Sequence, residues 1–182
     1  DLDPERGSRL VASEVLLELC RHALDVAPEE CCGLVLGNAE ERFVRAVRIT
    51  NVMTKMHVED PIAFPKDARH AYYMAELEYQ RALGEAEARH ETVSAVYHSH
   101  FGQGCYLSQD DLAFAAHPLF PFPEAAQIVV SVLADRVQEV GCFEADARAV
   151  ACWRWPALDR SGEARDVRAT RCRRATGAYP PA

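Results

Sequence analysis

The chain has 182 residues, 49% hydrophobic and 26% charged, ordinary values that exclude wholesale disorder and fibrous repeats. Its net charge of −8 argues against non-specific binding to nucleic acid or an anionic membrane. The longest strongly apolar stretch, Ala125 to Ala134, is about half the ~20 residues that a membrane-spanning helix needs.

Residues 13–26 read as a helix. Val15, Leu16, Leu19, Cys20, Ala23 and Leu24 recur at helical spacing, Ser13 is placed to cap the start, and Pro28 follows the end. Residues 31–36 form a short apolar run bounded by Gly37 and Asn38, the pattern of a buried strand. Phe43 to Ile49 reads as a second strand, hairpinned to the first across residues 38–41. Residues 51–65 lack any period and contain Pro61 and Pro65, so a loop is expected. Asp67 is expected to cap a long helix reaching about Ala88, rich in Ala, Leu, Glu and Arg.

Thr92 to His98 reads as a third strand, residues 101–107 as a loop, and Ser108 to Ala116 as a short helix stopped before Pro118. Residues 127–133 and 137–143 form a second hairpin, and residues 149–155 a last strand. After Pro156 the hydrophobic pattern stops. Six Arg there face Asp159, Glu163 and Asp166, a local charge of +3 that leaves −11 on residues 1–156. A domain over 1–156 is expected, followed by a basic tail over 157–182 that is mobile or loosely docked. Helices mixed with hairpins around a central sheet give a single α/β or α+β domain.

Seven Cys (20, 31, 32, 105, 142, 152 and 172) contain no C-x-x-C pair, so a Cys-based zinc knuckle is excluded. Most sit beside apolar residues and read as reduced core residues of a cytoplasmic protein. There is no basic-then-apolar N-terminal segment of the secretory kind. The first residue is Asp1 rather than Met, which leaves open a missing N-terminal piece and any targeting information in it.

The residues suited to chemistry concentrate between Tyr97 and Leu112. His98 and His100 lie two apart at a strand end, so both imidazoles share one face of the sheet. Neutral imidazole suits a borderline-soft metal such as zinc, although an H-x-H on a strand is by itself more often a packed or surface pair. Asp111, on the first turn of the next helix, can fold back to make a third ligand. Two His and one carboxylate leave the fourth zinc position for water, the arrangement of a catalytic site.

A structural reading competes with this one. Ser108 to Asp111 has the S-x-x-D form of a capping box, and Asp110 competes for either role. Ser108, one turn before Asp111, is a candidate hydrogen-bonding group for an oxyanion. The general base must come from elsewhere, with Glu29 and Glu30 at the entrance to the first buried strand as the candidates. For either Glu alone, a solvated loop after Pro28 is the better reading.

The order E-x-C-G (Glu30, Cys31, Cys32, Gly33), then H-x-H, then ten residues with Ser at the eighth and Asp after the tenth, resembles the JAMM/MPN+ zinc metalloprotease signature. The similarity runs from about Ser13 to Phe143, and the PEECCGLVLG segment looks especially like the bacterial members. It implies a single JAMM/MPN-like domain: a central, curved, mixed sheet flanked by helices, with a zinc site at the end of the His98–His100 strand. Family members cleave the isopeptide or peptide bond after the C-terminal glycine of ubiquitin-like proteins.

Carried over residue by residue, the resemblance implies that His98, His100 and Asp111 bind Zn2+. Glu30 would take a proton from the zinc water and pass it to the leaving amine, and Ser108 would stabilise the oxyanion. Glu29 does not match the motif. Phe101 and Leu107 stand where many relatives have Pro, which removes stiffening from the loop. Cys105, inside that loop, is a further potential metal contact.

The partner implied is a ubiquitin-like protein with a C-terminal Gly-Gly tail, or its conjugates, and neither nucleic acid nor membrane. Such a tail would dock by strand addition against residues 51–65 and the helix from Asp67. Tyr72, Tyr73, Met74 and Tyr79 are the candidate contacts, unless they merely pack the helix on the sheet. Deconjugation and processing of a sulfur-carrier protein fit this reading equally. A non-catalytic module of the same fold and a zinc hydrolase acting on amides or small peptides are the alternatives.

Overall fold

The computed structural model describes residues 13–118, 120–146, 149–156 and 170–171, with side chains described for 14–118 and 120–144. The elements run α1 (Ser13–Val26), β1 (Cys32–Gly37), β2 (Arg45–Ile49), α2 (Met53–Glu59), α3 (Glu76–Ala88) and β3 (Thr92–Phe101). They continue with α4 (Gln109–Ala115), β4 (Ala126–Leu133), β5 (Arg136–Asp146), β6 (Ala149–Pro156) and β7 (Thr170–Arg171). Among the described residues the strands form one sheet in the order β2-β1-β3-β4-β5-β6-β7. Only β3 and β4 pair in parallel. A parallel pair needs a crossover, and the crossover here carries α4, which bears Asp111.

Two faces of the sheet are covered for different reasons. Val15, Leu16, Leu19, Cys20 and Ala23 of α1 pack on Val35, Ala95, Tyr97, Ile128 and Val130. Ala82 and Ala86 of α3 pack on the other face with Leu34, Leu36, Ile49 and Val96. Strand alternation thus sends Ala95 and Tyr97 to the α1 side and Val96, His98 and His100 to the other side. Leu19 is fully buried, and its truncation to Ala would cost about 2–5 kcal/mol.

Gly33 is required by close approach rather than by its dihedral angles. A Cβ there would lie 2.2 Å from the Val47 carbonyl oxygen and 2.6 Å from the Tyr97 ring. The glycine leaves room for Tyr97, whose hydroxyl meets His22 Nδ1 at 2.8 Å and ties α1 to β3. The β1–β2 hairpin closes through Asn38, whose Oδ1 accepts from the Glu40 and Glu41 amides.

Two sequence expectations are corrected. Residues 51–65 are not all loop, because α2 occupies Met53–Glu59. None of its residues is buried, so no apolar stripe marked it. The helix expected from Asp67 begins only at Glu76. Asp67 does start a turn, with the His70 and Ala71 amides donating to its carbonyl at 3.1 Å. The chain then straightens because Met74 bridges to Asn51, Val52 donates to the Tyr73 carbonyl, and Ala75 donates to the Thr50 carbonyl. Tertiary pairing overrides helix propensity there.

β3 extends to Phe101, past the expected end at His98, because β4 pairs with it as far as Phe101 and Val132. Both ligand-type histidines therefore sit on regular backbone. The side chain of Ser13, and with it the expected cap, is not among those described, and the tail lies outside the described residues apart from Thr170 and Arg171, which pair with Arg154 and Trp153. Among the described residues no helix is long and apolar enough to cross a membrane.

Candidate metal centre

His98 and His100 project from the end of β3 on the side away from α1, both buried. Their Nε2 atoms stand 3.2 Å apart. The Asp111 carboxylate completes a triangle, with Oδ1 3.4 Å from His98 Nε2 and Oδ2 3.8 Å from His100 Nε2. A tetrahedral zinc with bonds of about 2.0–2.1 Å separates its ligand atoms by about 3.3–3.4 Å. The three observed separations bracket that value. Among the described residues this is the one group of metal-ligand type.

The surrounding bonds fit a ligand role. His100 Nδ1 lies 3.1 Å from the Gly104 carbonyl. That partner can only accept, so Nδ1 carries a proton there, which leaves Nε2 as the ring nitrogen facing His98 and Asp111. Tyr72 stacks on His98 with ring centroids 4.9 Å apart and planes at 25°. Tyr106 tilts against His100 at 5.0 Å. The two tyrosines hold the imidazole planes and limit water around them.

Asp111 serves the helix and the centre at once. Its Oδ2 accepts from the Ser108 amide at 2.7 Å, and its own amide donates to Ser108 Oγ at 3.1 Å. The capping box and the ligand geometry therefore coexist: Oδ2 starts α4 while Oδ1 faces His98. Burial raises the Asp111 carboxyl, but hydrogen bonds with His100 and His98 outweigh it and hold it well below the usual carboxylate range. On His100, burial pulls the imidazole down, and hydrogen bonding to Asp111 with the charge of Glu30 reverses this to a net rise. The rival carboxylate, Asp110, is exposed and pairs with Lys66 at 2.5 Å.

The strand register carries the start of β1 to the same place. Cys32 pairs with His98. One step earlier, the Ser99 amide donates to the Cys31 carbonyl at 3.2 Å, and the Cys31 amide donates to Ser99 Oγ at 2.8 Å. Glu30, the next residue back, bonds off the ladder to Ala68 and Asn51 and lies near enough for the charges of His100, Asp111 and Lys66 to act on its carboxyl. Glu30 is buried and Glu29 exposed, which separates the two candidate bases. Burial pushes the Glu30 carboxyl up to about 8; His100 and Lys66 draw it down and Asp111 adds to the rise.

Ser108 lies one residue before α4, beside Asp111. Its cap uses an oxygen lone pair, so the O–H still has a choice of acceptor: the Asp111 carboxylate or an oxygen of a bound molecule.

Other expectations resolve differently. Cys105 is buried and its Sγ donates to the Val129 carbonyl at 3.2 Å. It packs with Val129 and Phe143 rather than joining the ligand cluster. Of the four residues read as a docking patch, Met74 and Tyr79 pack in the α3 cluster, and Tyr73 lies edge-on to Phe64. Tyr72 alone reaches the centre. The sequence reading missed its stacking on His98, because that contact depends on the straightened segment before α3.

Comparison with known proteins identifies the family. The family model described as prokaryotic homologs of the JAB domain matches residues 12–155. The chain is 30% identical over 138 residues to the 26S proteasome regulatory subunit RPN11 of Encephalitozoon cuniculi, covering 71% of this chain and 40% of that one. It is likewise 30% identical over 138 residues to the uncharacterized protein F37A4.5 of Caenorhabditis elegans, covering 37% of it. The chain thus spans about two fifths of the length of these relatives. The solution structure of protein DSY2949 from Desulfitobacterium hafniense shares the fold, with a TM-score of 0.50 and 17% identity over 88% of this chain and 87% of that one. The chain belongs to the JAB/MPN (JAMM) family.

Proposed function

We propose that the chain is a zinc-dependent hydrolase that cleaves the isopeptide or peptide bond after the C-terminal glycine of a ubiquitin-like protein. The observation that carries this reading is the meeting of His98 Nε2, His100 Nε2 and Asp111 within 3.2–3.8 Å, with buried Glu30 near enough to feel the charges of His100 and Asp111. His98, His100 and Asp111 would hold the metal. When bound, zinc supplies a Lewis acid that acidifies water and polarises the scissile carbonyl.

Glu30 moves the proton. Buried beside the ligand triad, its carboxylate would accept a proton from attacking water and return it to the leaving amine. Ser108 donates its O–H to the carbonyl oxygen as negative charge develops there. Tyr72 and Tyr106, on the two histidines, wall the approach, which favours a slender, unbranched tail such as Gly-Gly. The negative charge of the domain fits a protein partner rather than nucleic acid, and a cytoplasmic location fits its buried thiols at Cys20, Cys31 and Cys32. The catalytic domain is proposed to end at 156, with residues 157–182 outside the chemistry.

The test is hydrolysis by zinc-loaded protein of two substrates: a folded ubiquitin-like protein extended beyond its Gly-Gly, and the same Gly-Gly junction in a short peptide. Cleavage of the folded substrate, lost in Glu30→Gln, supports the proposal. Cleavage of the peptide alone indicates a small-peptide hydrolase. Stoichiometric zinc with no cleavage of either indicates a binding module.

A further inference from the structure

We propose that Asn51 is the positioning residue of the centre, clamping the main chain of Glu30 and the Tyr72 segment together against His98 and His100. The inference rests on the hydrolytic reading above for its functional half, and on geometry alone for its structural half.

Asn51 follows β2 and uses the full capacity of its carboxamide. Its Nδ2 donates to the Glu30 carbonyl at 2.9 Å and to the Ala71 carbonyl at 3.1 Å. Its Oδ1 accepts from the Tyr73 and Met53 amides, both at 3.0 Å. A primary amide offers two N–H donors and two lone pairs, and all four are used. The partners explain what the residue is for. Ala71 and Tyr73 flank Tyr72, so one side chain fixes both peptides around the ring stacked on His98. Met53 opens α2, whose N-cap position, Val52, offers no side-chain cap; Asn51 supplies that acceptor from one residue earlier.

Glu30 needs such a holder because it precedes β1. The strand ladder begins at Cys32, so Glu30 is fixed by neighbours rather than by regular pairing. Its amide donates to the Ala68 carbonyl at 2.7 Å and its carbonyl accepts from Asn51. Ala68 is tied in turn to Thr54 Oγ1 at 3.1 Å. Both main-chain groups of Glu30 thus bond to the segment 51–71. Asp at position 51 would keep both acceptor bonds but turn an oxygen toward two carbonyl oxygens, and Ala would lose all four bonds.

The test uses the full zinc-loaded chain as wild type, Asn51→Asp and Asn51→Ala, with Tyr97→Phe as a control destabilised on the opposite face. Amide hydrogen exchange at Glu30 and Tyr73, bound zinc, and kcat and KM on the Gly-Gly-extended substrate are measured together. Expected for Asn51→Asp are one zinc retained, faster exchange at Glu30, and kcat lowered at least about tenfold with KM little changed, the mark of a misplaced base. Asn51→Ala gives the same pattern and decides the matter if Asn51→Asp does not fold. Unchanged exchange at Glu30 in the folded variant overturns the proposal. So does faster exchange with unaltered kcat, or an equal loss of kcat in Tyr97→Phe. A wild type that cleaves nothing refutes the hydrolytic reading, and the exchange data still decide whether Asn51 holds Glu30.

Discussion

His22 and His98 are both buried histidines beside a tyrosine, on opposite faces of the same sheet, and they are built for different ends. His22 is closed by one partner: Nδ1 meets Tyr97 Oη at 2.8 Å, with the rings edge-on. Burial and the nearby Arg48 hold it neutral, with its pKa lowered to about 4. His98 is stacked rather than bonded by its tyrosine. Its Nε2 instead faces another imidazole nitrogen at 3.2 Å and a carboxylate oxygen at 3.4 Å. A structural histidine is satisfied by what it touches, whereas His98 Nε2 shares a point with an imidazole nitrogen and a carboxylate oxygen, an arrangement that could hold a metal ion. Burial alone does not distinguish the two residues; convergence does.

The largest effects are expected where convergence is broken. His98→Ala removes one corner and should abolish both metal binding and turnover with the fold intact, checked by metal content and circular dichroism. Asp111→Asn should do the same while still accepting from the Ser108 amide, so that α4 survives. Loss of the helix with zinc retained would show that the carboxylate serves only the cap.

Glu30→Gln comes next. It should keep zinc and lower kcat by about 10²–10⁴-fold, the usual contribution of a general base. It also has a signature in the metal-free protein. Glu30 in the fold holds its proton up to about 8, while the unfolded chain releases it near the ordinary value of about 4.3. The unfolded state therefore binds fewer protons between these values, and wild-type stability falls as pH rises through that window. Gln has no proton to lose. The gain in Tm from Glu30→Gln should grow from near zero at pH 4 to several degrees at pH 8, and a gain independent of pH would contradict the burial argument.

Ser108→Ala should slow turnover by about 10²-fold as a lost oxyanion donor and cost about 1 kcal/mol as a lost helix cap, with zinc retained. Smallest at the centre is Tyr97→Phe. It strands His22 Nδ1 and should cost about 1–3 kcal/mol of stability, leaving metal content and kcat unchanged.

Much of the centre was legible in the sequence because it depends on local periodicity. Two residues apart on a strand means one face, so His98 and His100 needed no tertiary knowledge. Ser108 and Asp111 lie one helical turn apart, and their capping box coexists with Asp111 Oδ1 facing His98. The placement of Glu30 was legible only through the compound motif, because it precedes the ladder and is held by bonds to Ala68 and Asn51. What stayed hidden depends on long-range bonds between irregular segments. α2 buries nothing and so leaves no pattern. The segment before α3 is straightened by Asn51 and Thr50 rather than by its own propensity. Tyr72 accordingly read as a helix surface residue. Cys105 read as a potential metal contact, and the packing of the loop over Val129 and Phe143 buries it away from the cluster.

Zinc stoichiometry in wild type, His98→Ala and Tyr97→Phe, purified identically and checked for folding, tests the central claim most directly. One zinc per chain in wild type and Tyr97→Phe, and none in folded His98→Ala, is the predicted result. Equal zinc in all three, or none in the wild type after loading, would contradict it.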